Sequence, residues 1–417
     1  MTSHRRPGPA LPLPLLALLF ACVPAAGCAG RTTWSRAPLI LVETAPVETA
    51  IDHPDLPETQ DVWLGMIRGA TGTIDLGHFY ASNEEGGRLE EVVQALEAAA
   101  ERGVRVRFLT DERFYGTYPE TLDRLDARGG IEVRRYDMRA VTGGVMHAKY
   151  MLVDGREAYV GSSNFDWRSL EHIQELGARV RVVPVVRAVG DVFELDWHLA
   201  GGGARGDAPR PRVTAGDFPV RVALHGGGSV EVTPVFSPRG LLPDEDLWDL
   251  PRLVEWIEGA EHSVSIQLLT YRMVGWRGDY FADLEGALLR AARRGVEVRL
   301  LIADWGKRAG TAGGLQSLAA VPGVEVRFAT LPPWSGGFIP YARVIHSKYM
   351  VVDGRRAWLG TSNWEHGYFH EGRNVGLLID GPAVAERLAD YFEDGWDGPY
   401  AYPVDPLATY EPPRVGE

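Results

Sequence analysis

Three residue types are scarce in this chain, and each scarcity excludes something. Cysteine occurs twice, at Cys22 and Cys28, so the chain beyond residue 28 has no disulfide and no thiol chemistry. It must hold together by apolar cores, and 417 residues at 45% hydrophobic composition suffice for two core-bearing units. Lysine occurs only at Lys149, Lys307 and Lys348 among 43 basic residues, so arginine serves nearly everywhere a cation suffices. Asparagine occurs only at Asn83, Asn164, Asn363 and Asn374. Net positive charge is missing too: the formal charge is −13, and −15 without the first 27 residues, which carry Arg5 and Arg6. Such a surface has no general attraction for nucleic acid or anionic lipid, so a bound phosphate must be held by a local basic site.

Long apolar runs are absent apart from one near the start, from about Ala10 to Val23, and Pro12 and Pro14 interrupt it. It is short for a permanent membrane span. With His4, Arg5 and Arg6 before it and Ala25-Ala26-Gly27-Cys28 after it, residues 1–28 read as an export signal. The last four residues resemble a bacterial lipobox, which implies a lipidated Cys28 and a membrane anchor; plain cleavage is the alternative. The expected location is the cell envelope, as a membrane-anchored lipoprotein, or otherwise periplasmic or secreted.

What is present is a repeat. Arg102-Gly-Val-Arg-Val-Arg-Phe-Leu109 recurs as Arg294-Gly-Val-Glu-Val-Arg-Leu-Leu301, and His147-Ala-Lys-Tyr-Met-Leu-Val-Asp-Gly-Arg156 recurs as His346-Ser-Lys-Tyr-Met-Val-Val-Asp-Gly-Arg355. The expected class is α/β: two duplicated domains, each a mixed β-sheet flanked by helices, related by a pseudo-twofold axis. Leu89, Val92, Val93, Leu96 and Ala100 fall at helical spacing, as do Phe281, Leu284, Leu288 and Ala291, and strands follow Gly103 and Gly295. The boundaries expected are a first domain over 38–205, a linker over 206–230, a second domain over 231–400 and a poorly ordered Pro-rich tail over 401–417.

The second recurring string carries the chemistry. It reads His147-x-Lys149, Asp154, Ser162 and Asn164 in the first half, and His346-x-Lys348, Asp353, Thr361 and Asn363 in the second, with the same spacing. Two of the three lysines and two of the four asparagines sit at these matched positions, so a compact three-donor ammonium is needed where guanidinium would not do. Alternation along a strand turns His147 and Lys149, and His346 and Lys348, to one side. Asp154-Gly155 and Asp353-Gly354 read as two-residue hairpin turns, which assigns both aspartates to the scaffold.

Two halves face to face would enclose a phosphodiester between two imidazoles and two ammonium groups. One neutral histidine attacks phosphorus, and the other, protonated, gives its proton to the departing alkoxide; water or an alcohol then resolves the phosphohistidine. Lys149, Lys348, Asn164 and Asn363 stabilise the charge, and Ser162 and Thr361 are expected to touch substrate. No cluster at metal-ligand spacing is evident, so neither metal nor cofactor is expected and activity should survive EDTA. Lysines beside histidines depress the imidazole pKa, so each histidine needs a carboxylate: Glu175 is assigned to His147 and Glu371 to His346, with Glu171 and Glu365 nearby. His78, His172, His366 and His370 read as surface or packing residues, and Trp167, Trp305, Trp334 and Trp364 as core.

These motifs resemble those of the phospholipase D superfamily. The segments Asp166-Trp-Arg-Ser-Leu170, Gln174-Glu-Leu-Gly177, Ile339-Pro-Tyr-Ala-Arg-Val344, Gly360-Thr-Ser-Asn-Trp364 and Trp396-Asp-Gly-Pro-Tyr400 are similar to its endolysosomal branch, whose members act as 5′ exonucleases on single-stranded nucleic acid. The resemblance implies the two-domain α/β fold, a phosphohistidine mechanism, His147 as nucleophile and His346 as acid. Members of that branch are disulfide-bonded, whereas this chain has no cysteine beyond Cys28. The expected function is a metal-independent phosphodiesterase acting on phospholipid, by hydrolysis or phosphatidyl transfer. Exonuclease-like hydrolysis of single-stranded nucleic acid is the alternative, and a non-catalytic binding module stands last. No obligate protein partner is implied.

Overall fold

The computed structural model describes residues 36–416 apart from 226, 276, 277 and 279, together with 1, 2 and 4. Cys28 and nearly all of the expected export signal therefore lie outside the described residues. Each half builds one large mixed sheet beside a two-stranded parallel one. The first has seven strands in the spatial order Leu39–Thr44, Glu175–Val180, Glu157–Gly161, Lys149–Val153, Thr73–His78, Arg105–Asp111 and Ile131–Tyr136. The second has nine: Val220–Ala223, Ser229–Ser237, Asn374–Asp380, Arg356–Gly360, Tyr349–Val352, Ser263–Leu268, Glu297–Ala303, Val324–Ala329 and Ala401–Pro403. In each sheet three strands run parallel through helical crossovers, and the motif hairpin pairs antiparallel beside them.

The helical spacing read from the sequence becomes Arg88–Glu101 and Ala282–Arg293, which bury Leu89, Val92, Val93 and Leu96, and Leu284, Leu288 and Ala291. Both stop where Gly103 and Gly295 adopt φ of 90° and 91°, a left-handed conformation that ends a helix at little cost in glycine. The parallel strands follow at once. The inner faces of the two sheets meet in one core, where Tyr150, Leu152 and Val160 join Tyr349, Val351 and Leu359. The motif strands of both halves thus lie on the shared side.

Two expected boundaries are corrected. Part of the linker over 206–230 belongs to a sheet: Val220–Ala223 pairs antiparallel with Ser229–Ser237, and Arg212 is tied to Asp191 at 2.6 Å. The tail over 401–417 is anchored, with Ala401–Pro403 added to the edge of Val324–Ala329 and Tyr341 N–H bonded to the Val415 carbonyl at 2.7 Å. An open sheet edge offers unpaired backbone groups, and even a Pro-rich segment can cap one.

Candidate active site

The segments entering each motif are held by the other half. Met146 bridges to Arg373 and Gln174 to Ile345 as isolated parallel β-bridges, and the backbone amide of His346 donates to the Gln174 carbonyl at 2.9 Å. Arg373 is fully buried and forms a two-pronged pair with Asp196 of the first half, both bonds 2.7 Å. These cross-links put His147 and His346 on the two sides of one site. His147, Lys149, His346 and Lys348 are all buried, at 6%, 0%, 7% and 1% exposure. Each ammonium donates back to the carbonyl of its own motif histidine, Lys149 to His147 at 2.5 Å and Lys348 to His346.

The turns sit as expected but are one residue longer. Val153 pairs with Glu157, leaving Asp154, Gly155 and Arg156 in the loop, and Asp154 and Gly155 have φ of 52° and 60°. The Asp154 carboxylate accepts from Thr71 N, Thr71 Oγ1, Gly72 N and Thr73 N at 2.7–3.0 Å. Asp353 repeats this with the amides of Glu261, His262 and Ser263 at 2.7–2.9 Å. Burial raises both carboxyls, but these backbone donors outweigh it and hold them below the usual range. Both aspartates lock the hairpin to the start of the neighbouring strand and point away from the histidines.

The orienting partners are exchanged between halves, which corrects the expected pairing. Glu175 stands behind His346, not His147: His346 Nδ1 lies 2.9 and 2.8 Å from its two oxygens. Glu371 forms no such bond; its residue lines the cleft above His147. The position behind His147 is taken by Asn374, whose Oδ1 is 3.2 Å from His147 Nδ1. The amide can face only this way, because Asn374 Nδ2 donates to the carbonyls of Tyr368 and Gly372 at 2.8 and 3.2 Å. A signal for Asn374 was present: it lies 199 residues after Glu175, the same interval that separates His147 from His346.

Ser162 and Thr361, expected to touch substrate, bond instead to the side chains behind the histidines. Both are fully buried; Ser162 Oγ donates to Glu175 Oε2 at 2.5 Å and Thr361 Oγ1 to Asn374 Oδ1 at 2.9 Å. They position the residues that position the histidines. Asn363 accepts from Thr270 N at 3.2 Å and donates to the Tyr368 hydroxyl at 3.1 Å, whereas the buried Oδ1 of Asn164 has no partner among the described residues.

Charge inside this site is costly. Burial, then Lys149, Lys348 and His346, drive the His147 imidazole well below its ordinary pKa. Burial likewise pulls His346 down to about 4, with Glu175 opposing. Glu175 itself would be raised by burial, but His346, Lys348 and Ser162 keep it below the usual carboxylate range. Burial brings Lys348 to about 7 and, with Lys348 beside it, takes Lys149 well down. An anion between the lysines would restore their charge. Among the described residues, no group of three or more His, Cys, Asp and Glu is placed to hold a metal ion.

A cleft of about 910 Å³ opens over His147. Its lining comes from both halves: Arg113, Arg139 and Arg272 stand there with Asp111, Asp137, Glu365 and Glu371, and glycines, Val145 and Tyr368 fill the wall between them. Arg272 is paired to Glu365, whereas Arg113 and Arg139 form no ion pair among the described residues. Phe79 and Tyr368 flank the His147 ring, each with its centroid 4.9 Å away.

The family model described as "Cardiolipin synthase, PLD-like domain" matches residues 64–197 and 253–396, once in each half. The "5'-3' exonuclease PLD3" of Bos taurus is 32% identical over 405 residues, spanning 88% of this chain and 81% of that protein. "Phospholipase D Z" of Dictyostelium discoideum is 28% identical over 370 residues, spanning 83% and 86%. Among solved structures, phosphatidylserine synthase from Haemophilus influenzae matches with a TM-score of 0.58 at 13% identity, covering 84% of this chain and 87% of that one. At that identity the likeness speaks to the fold alone.

Proposed function

Because the chain belongs to the phospholipase D-like family and is a phosphodiesterase of that superfamily, we propose that its substrate is single-stranded nucleic acid, which it hydrolyses in exonuclease-like fashion. The lining of the cleft carries this reading. Arginines and carboxylates surround the approach to His147, and Val145 is the one aliphatic side chain among the described residues that line it. Arg113 and Arg139, which form no ion pair among the described residues, can meet the phosphates of a strand, and the polar groups beside them its sugars and bases. The order expected from the sequence, phospholipid first, is therefore reversed, and the 32% identity to a 5'-3' exonuclease supports the change.

Roles follow from what stands behind each ring. A carbonyl oxygen behind His147 accepts the Nδ1 proton and leaves Nε2 with its lone pair, so His147 attacks phosphorus. A carboxylate behind His346 offsets an imidazolium charge, so His346 is the acid. The His147 N–P bond forms as the P–O ester bond breaks, and the leaving oxygen takes the His346 proton. Water then attacks the phosphohistidine, returns a proton to His346 and frees His147. Lys149 and Lys348 balance the charge on the non-bridging oxygens.

A phospholipid substrate, hydrolysed or transferred, is the second reading. Val141, Val274 and Tyr280 are 51%, 50% and 55% exposed beside cleft-lining residues, a rim suited to rest on a bilayer. Purified protein incubated in EDTA with linear single-stranded DNA and, separately, with phosphatidylglycerol vesicles decides between them. We expect cleavage of the DNA, with His147→Ala and His346→Ala each slower by about 10²–10⁴-fold. Hydrolysis of phosphatidylglycerol without DNA cleavage would sink the nucleic-acid reading, and unchanged turnover in either variant the mechanism.

A further inference from the structure

The two halves fall out of step in one place. Tyr136 and Ala329 close equivalent strands and are 193 residues apart, whereas His147 and His346 are 199 apart. The second half thus carries extra chain between its last parallel strand and its motif, and residues 332–343 cross with it to the first half. Ser335 N and Oγ donate to the Glu48 carboxylate at 2.9 and 2.6 Å. Arg343 donates to the Val47 carbonyl at 2.7 Å, and its backbone amide to the His172 carbonyl at 3.0 Å. The Trp334 ring lies 5.0 Å from His172, which in turn meets Trp167 edge-on at 5.6 Å.

This crossing covers the symmetry mate of the open cleft. Val145, Tyr368 and Glu371 line that cleft and are partly exposed. Their counterparts at the 199-residue interval are Val344, Ser169 and His172, and these are only 2%, 0% and 2% exposed. A duplicated fold should offer two equivalent arms of one groove, one over each histidine. Here the arm over His147 is open and the arm over His346 is filled.

We propose that residues 332–343 form a strap that ends the substrate groove, so that a polynucleotide enters from the His147 side alone and is cleaved only at a terminus. The inference rests on the nucleic-acid reading above. A groove open at both ends lets a strand pass through and be cut internally; a groove stopped at one end accepts only a chain end. The strap is therefore a specificity-determining element and takes no part in the phosphoryl transfer.

Circular single-stranded DNA has no terminus, and a linear strand of the same sequence supplies the comparison. The unmodified protein should degrade the linear strand at least about 100-fold faster than it nicks the circle. Trp334→Ala combined with Glu48→Ala releases the strap at its outer contacts and should narrow that ratio by about tenfold or more. Ser335→Ala is a milder variant expected to move it in the same direction. Rapid nicking of circles by the unmodified protein overturns the strap. So does a released variant that keeps its circular dichroism and its activity on linear DNA yet still spares circles. Cleavage of neither DNA, with phosphatidylglycerol hydrolysed instead, overturns the substrate reading beneath it.

Discussion

His147 and His346 share a motif and a degree of burial, and one side chain behind each makes them different. Competent enzyme needs His147 neutral and His346 protonated. Burial and the lysines put His147 well below its ordinary pKa, and burial leaves His346 at about 4 despite Glu175. The competent form is therefore lost as pH rises through the His346 value, which a bound phosphodiester anion moves upward. We expect kcat, which reports the substrate complex, to fall with rising pH between about pH 5 and pH 8; a profile rising over that range argues against these roles. Glu175→Gln removes the carboxylate behind the acid and should lower kcat by about 10²-fold while moving the falling limb to lower pH. Asn374→Asp places a carboxylate behind the nucleophile and should shift the rate maximum to higher pH, where His147 regains its lone pair. A merely structural role for either residue would leave the shape of the profile alone.

At the scale of the element, the motif hairpins act as the site's mounting. Asp154→Ala leaves three backbone amides without their acceptor and should destabilise the fold by about 1–2 kcal/mol in urea unfolding, discounted because the turn is partly exposed. Because the Asp154 and Asp353 carboxyls sit below their usual range, this stabilisation is complete above the unfolded value and fades as pH falls through the folded one. Much of this mounting was legible in the sequence, since an Asp-Gly pair between two strand-like runs has few other uses. The exchange of Glu175 to the opposite histidine was not, because sequence proximity to His147 suggests the wrong partner and only the packing of the two halves corrects it. Asn374 was legible through its interval from Glu175, but an uncharged amide carries no signal of its own as the partner of an imidazole. The edge strand Ala401–Pro403 was illegible for another reason: its partner, Val324–Ala329, is distant in sequence and its own composition favours loops.

For the whole molecule, the buried Arg373–Asp196 pair makes the halves interdependent. Asp196→Ala leaves a guanidinium charged and uncompensated in the core, and a loss of about 3–5 kcal/mol is expected. Thermal unfolding should remain one transition in which both halves melt together; two separated transitions in the unmodified protein would falsify this coupling. Inorganic phosphate should raise the melting temperature by binding the folded site, and Lys149→Met with Lys348→Met should abolish the rise.

The partners exchanged across the halves have a consequence for how such a site can arise. Two identical copies related by true symmetry would carry the same side chain behind both imidazoles, so any change that favoured the proton donor would equally burden the attacking base. Covalent fusion lifts that restriction. Glu175 and Asn374 occupy one ancestral position twice over, and their divergence lets acidity and nucleophilicity be inherited as separate traits.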